Sequence, residues 1–159
     1  MDADGNIRSL SERISGEPAE GILGLILLFI IFIICGAFFS AAESSFSSMN
    51  KIRIKAKAED GNKRAKNAIR IASDFDKLLT TMLIGNNIVN IASASIATLI
   101  ATKLFGTSDR VTFFCTVITT LIVFLFSEMI PKSFAGDRSE TFALFSARIL
   151  SVLMKLFTP

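Results

Sequence analysis

The sequence predicts an all-α membrane protein: three transmembrane helices plus amphipathic juxtamembrane helices on the cytoplasmic side. Three observations predict it. Residues 22–40, ILGLILLFIIFIICGAFFS, carry no charge over about the 20 residues that a helix needs to cross roughly 30 Å of hydrocarbon. Two more apolar runs follow, within 78–105 and 111–130. Between the first and second lies NKIRIKAKAEDGNKRAKNAIRIASDFDK, a loop dense in Lys and Arg of the kind retained on the cytoplasmic side. Composition agrees, because 51% of the 159 residues are hydrophobic and runs this long exceed what a soluble core of this size holds.

Each element has its own warrant. Residues 1–20 form a polar tail in which Asp and Glu outnumber Arg, so charge asymmetry places the N-terminus outside and the basic loop inside. The first span, 22–48, follows an acidic tail, lacks a basic n-region and is too long for the core of a secretory signal peptide. In 51–73, Ile52, Ile54 and Ala58, then Ala65, Ala68, Ile69 and Ala72, recur near helical spacing, with Gly61-Asn62 as a break. This reads as a helical hairpin on the inner membrane surface, with its cations near anionic headgroups. The second span, 78–105, is punctuated by small and polar residues, as expected of a helix that faces other helices. A short link, GTSDR, makes it an antiparallel neighbour of the third span, 111–130. The segment 140–157 is short for a span and carries Arg148 near its middle. An interfacial or protein-packed juxtamembrane helix is favoured there over a fourth crossing, which leaves the C-terminus cytoplasmic.

Charge and absence narrow the chemistry. A net charge of +3 is compatible with nucleic-acid binding, but the basic residues lie beside the spans without an aromatic stacking platform. The chain has no His, and Cys35 and Cys115 stand alone in separate spans without CxxC spacing. Hydrolase and zinc-site readings lose their support, and a non-enzymatic role is expected.

What is polar within the spans is rich in oxygen. Asn86 and Asn90 are spaced i, i+4 and share a helix face that Ser93 continues, while Asn87 adds a third amide nearby. They could instead hydrogen-bond neighbouring helices, for about 0.6 to 2 kcal/mol each. In GAFFSAAESS, Ser40, Glu43 and Ser44 form a small polar stripe; the serines also suit close packing, and Glu43 could snorkel or pair with a loop cation. In FLFSEMIPK, Glu128 is an ionisable group costing ~2 to 3 kcal/mol at membrane depth unless paired or functional. Pro131 has no N–H for the carbonyl four residues back, that of Ser127, although it could simply end the helix with Glu128 at the water boundary. Taken together, Ser40, Asn86, Asn90, Glu128 and the Ser127 carbonyl are hard oxygen donors from three spans, suited to Mg²⁺ or Na⁺. A single carboxylate keeps such a site weak enough to release its ion, as transport requires.

GAFFSAAESS, GNNIVN and SEMIPK, in this order on three successive spans, resemble the transmembrane domain of the CorC/CNNM (cyclin M) family of Mg²⁺ transporters over about residues 22–157. The resemblance implies that Ser40, Asn86, Asn90 and Glu128 line a Mg²⁺ site, with Pro131 shaping the third helix beneath it. It also implies a homodimer and an inward-facing acidic cavity. Family members continue into a cytoplasmic CBS-pair module and often a further C-terminal domain, so the chain reads as a fragment of a longer protein. Two functions are expected to compete: Mg²⁺ export, with Na⁺ entry as its coupling, and a membrane-embedded Mg²⁺ sensor or scaffold that regulates a separate transporter.

Overall fold

The computed structural model describes the backbone of residues 3–106 and 108–157, and the side chains of residues 21–106, 108–110 and 112–157. The side chains of the acidic tail expected at 1–20 therefore lie outside the described residues. Seven α-helices and one π-helical segment account for the fold: α1 (Ala3–Ser48), α2 (Lys51–Glu59), α3 (Lys63–Ala72), α4 (Phe75–Phe105), α5 (Asp109–Val123), the π segment (Phe124–Met129), α6 (Ile130–Asp137) and α7 (Ser139–Phe157). No strand occurs among the described residues. Three stretches are long and apolar enough to cross a membrane: Gly21–Ser48, Phe75–Phe105 and Thr112–Asp137. α7 is not among them, since Arg148, Lys155 and Glu140 interrupt its apolar character.

Local chemistry sets the helix boundaries. Asn50 caps α2 by accepting from the Arg53 N–H, and Asn62 caps α3 by accepting from the N–H groups of Arg64 and Ala65, so each satisfies donors that the first helical turn leaves open. Between them Gly61 takes φ 95°, a conformation that other residues rarely adopt, and the chain reverses there. Gly106 does the same at φ 81° after α4.

The core lies at the hairpin end of the bundle. Phe46 of α1, Ile54 of α2, Leu78 and Met82 of α4 and Leu150 of α7 are fully buried there, packed around Ala65 and Ala68 of α3 and Ala143 and Ala147 of α7. Alanines on α3 and α7 let their backbones approach closely, and Asn67 fastens the pair by donating to the Ala147 carbonyl at 2.9 Å. α7 is held at its start by Glu140, which takes ion pairs from Lys57 at 2.9 Å and Arg53 at 3.1 Å. Above this core the spans present Leu, Ile and Phe outward, which suits lipid rather than water.

Candidate functional site

α1, α4 and the π segment converge where α1 has a glycine. A methyl group on Gly36 would overlap the Ser127 hydroxyl and come within 3.3 Å of Val89, so the three helices meet at a distance that only glycine allows. One turn nearer the hairpin, Phe39 of α1 lies against Gly85 of α4. These two contacts fix an antiparallel register that brings Ser40 level with Asn86. Ser93 is one turn beyond Val89 in the other direction.

Around this junction five polar oxygens are buried without any hydrogen-bond partner among the described residues: Ser40 Oγ, Asn86 Oδ1, Asn90 Oδ1, Ser93 Oγ and Ser127 Oγ. The contrast with the rest of the spans is informative. Elsewhere hydroxyls return their proton to a carbonyl one turn back, as Ser95, Thr98, Thr116 and Ser133 do. Ser40, Ser93 and Ser127 are at most 1% exposed, so solvent does not supply the missing partner.

The π segment explains how Ser127 comes to face inward. Ile130 donates its N–H to the Leu125 carbonyl, five residues back, instead of to Phe126. Pro131 has no N–H to give. The Phe126 carbonyl therefore loses both its α-helical and its π-helical donor, and the Ser127 carbonyl loses its α-helical one. Sequence reasoning located the defect at Pro131 and assigned the freed oxygen to the Ser127 carbonyl; the register shift adds Phe126 and turns the Ser127 hydroxyl into the interior. A six-residue π segment is not coded by periodicity, and Pro131 beside an intramembrane Glu128 was the only signal for it.

Glu128 and Glu43 meet through a residue that the sequence reading passed over. The Lys132 ammonium lies 3.3 Å from a carboxylate oxygen of each. Glu43 thus pairs with a cation, though one from the third span rather than the basic loop. Ser44 donates to the Lys132 carbonyl at 2.9 Å, and Ser45 lies 3.4 Å from the Ala135 carbonyl, closing α1 onto α6 beneath the junction. Asn87 is exposed and stands apart from the group, because one helical residue rotates it about 100° from Asn86.

Asn90 and Glu128 also line a common cavity of about 220 Å³ between α4 and α5, with Thr116, Thr119, Thr120 and Cys115 on the α5 wall. It extends from the junction toward the Gly106 end. The Glu43–Lys132–Glu128 bridge lies on the hairpin side of the junction. Among the described residues no three His, Cys, Asp or Glu side chains cluster, so any cation held here would rest mainly on neutral oxygens.

The chain is 42% identical over 135 residues to a UPF0053 protein of Haemophilus influenzae, covering 83% of this chain and 32% of that protein. It is 33% identical over 123 residues to the UPF0053 inner membrane protein YfjD of Escherichia coli, covering 77% and 28%. A chloroplastic DUF21 domain-containing protein of Arabidopsis thaliana is 32% identical over 138 residues, covering 86% and 20%. The chain thus spans about a third or less of the length of these relatives. Residues 27–159 match the family described as the cyclin M transmembrane N-terminal domain, and with that match, three spans and the GNNIVN and SEMIPK segments at one junction, the chain belongs to the CNNM family of membrane domains.

Proposed function

We propose that this domain binds Mg²⁺ inside the membrane and carries it across as an exporter, with Na⁺ entry as its coupling. The observation that carries the reading is the group of five buried oxygens without partners. A buried acceptor or hydroxyl left unpaired costs about 1 to 3 kcal/mol, so a cluster of five is expensive unless a ligand completes it. Amide, hydroxyl and carboxylate oxygens are hard donors, and such oxygens would take the place of some of the waters around a small divalent cation. Ser40, Asn86, Asn90 and Ser127 supply neutral oxygens, and Glu128 supplies the charge.

Lys132 completes the mechanism. Without an ion its ammonium is shared by Glu43 and Glu128, which leaves a net charge of −1; an arriving Mg²⁺ takes Glu128 and Lys132 keeps Glu43, which leaves +1. In both states each carboxylate has a cationic partner, which lowers the cost of holding it at membrane depth. The proposed orientation puts the N-terminus outside, the hairpin and C-terminus in the cytoplasm, and the domain in the cell membrane as a homodimer.

Mg²⁺-dependent thermal stabilisation of the purified domain tests the site. Asn90→Ala should reduce it and Glu128→Gln should abolish it, since Gln removes the charge; no change in Asn90→Ala would assign the amide to helix packing. Flux tests the activity. Mg²⁺ entry into liposomes that contain the protein is expected, and binding without flux would favour a membrane-embedded Mg²⁺ sensor or scaffold.

A further inference from the structure

At the hairpin end, far from the polar junction, α3 and α7 enclose a groove of about 560 Å³. Lys63 and Arg64 reach it from the first turn of α3, and Arg148 from the middle of α7. No carboxylate lines it, and among the described residues none of these three cations has an acidic oxygen within 4.0 Å. The basic residues nearby behave differently: Arg53 and Lys57 share Glu140, and Lys132 bridges Glu43 and Glu128. Three unpaired positive charges held around one concavity repel each other, and an anion removes that repulsion.

The surroundings identify the anion's class. Phe145 and Ile149 line the same groove and are 57% and 45% exposed. Their stripe continues along α7 through Val152 and Leu156, also exposed, at spacings of three and four residues. The groove therefore joins a cationic wall to an apolar outer face, a match for a molecule with a phosphate at one end and acyl chains at the other. The site is also rigid on its protein side, because Asn67 of α3 is bonded to the Ala147 carbonyl within it. Arg148, a misfit in an apolar helix by sequence, gains a reason to be there.

We propose that this groove is a binding site for an anionic phospholipid, with Lys63, Arg64 and Arg148 on the headgroup phosphate and Phe145 and Ile149 against its chains. It does not depend on the Mg²⁺ reading. A juxtamembrane cation contributes about 1 kcal/mol toward an anionic headgroup, near fivefold in affinity. Native mass spectrometry of the purified, delipidated domain, titrated with phosphatidylglycerol and with phosphatidylcholine, gives the test. The wild type should prefer phosphatidylglycerol, and Lys63→Gln with Arg148→Gln should weaken it about thirtyfold. Lys55→Gln with Lys66→Gln, an equal charge change at exposed positions on the same hairpin, should change it less than about twofold. Arg148→Lys keeps the charge and should retain most of the binding, which separates loss of the site from loss of the fold. Equal weakening by both double variants would overturn the proposal, leaving diffuse attraction, as would full displacement of the lipid by millimolar inorganic phosphate.

Discussion

Lys132 bears most directly on the candidate site at the scale of single residues. Its ammonium is equidistant from Glu43 and Glu128, and so competes with any cation for the one formal charge of the junction. Lys132→Gln should raise the Mg²⁺ affinity of the domain about tenfold, equivalent to ~1.4 kcal/mol, by removing that competitor. Isothermal titration would measure it, and a weakened affinity would show that Lys132 organises the carboxylate instead. Gly36 is the second case. Gly36→Ala should press the methyl group into Ser127, displace its hydroxyl and weaken Mg²⁺-dependent stabilisation although Gly36 offers the ion nothing; undiminished stabilisation would remove Ser127 Oγ from the donor set. Neither residue was singled out in the sequence. Asn86 and Asn90 were, because amides at i, i+4 in an apolar run violate the surrounding pattern on their own. Gly36 is ordinary until α4 and the π segment arrive beside it, and Lys132 looks like the basic flank of a span until Glu43 reaches it from another helix.

Among the elements, the π segment and α7 carry the arguments that periodicity could not supply. Hydrophobic runs announced the three spans, and Gly61-Asn62 announced the break in the hairpin, since backbone chemistry is local there. The π register is set by a hydrogen bond shifted by one residue, which changes no side-chain pattern. Pro131→Ala restores an N–H and lets the third span return to regular α-helix. The expected outcome is opposite signs: equal or greater thermal stability without ions, but weaker Mg²⁺-dependent stabilisation. A parallel change in both would mean that the segment serves folding alone. For α7, the hydrogen bond from Lys57, with the nearby charge of Arg53, holds the Glu140 carboxyl below its ordinary 4.5, against the opposing effect of desolvation. Because the folded value is the lower one, the unfolded chain binds more protons as pH falls below about 5. The Glu140 contribution is thus complete above its unfolded value and is lost as pH drops through the folded one. With Lys57 and Arg53 largely solvated, Glu140→Gln should cost no more than about 1 kcal/mol at neutral pH and should flatten the acid side of the stability profile.

Across the whole molecule, burial is unevenly distributed, and this bears on assembly. The apolar windows of the three spans are only 6%, 22% and 6% buried within one chain, while the fully packed core is confined to the hairpin end. Lipid can cover exposed Leu and Phe at no cost, so these faces alone do not demand a partner. The cavity between α4 and α5 is different, because it is walled by Asn90, Glu128 and several threonines and continues the polar junction. An opening of that kind toward acyl chains leaves polar groups against hydrocarbon, a penalty that a second protein surface can relieve. The small residues Ser93, Ala97 and Ala101 recur every four residues along α4 and suit close approach of another helix, from the same chain or from a second copy. Ser93 and Ala101 are buried inside the chain, so that stripe serves the subunit's own packing. The contact is therefore expected around the mouth of the α4–α5 cavity, where Thr116, Thr120 and Phe124 line the opening and are themselves exposed. A C₂ homodimer in which each copy covers the other's cavity would bury this region on both subunits at once. Light scattering coupled to size-exclusion chromatography, corrected for bound detergent, should give twice the 17.3 kDa chain mass. Thr120→Arg, which sets a charge at that mouth, should lower it toward a single chain. A wild type that stays at one chain mass across a wide concentration range would instead assign the cavity to lipid or to segments beyond those described.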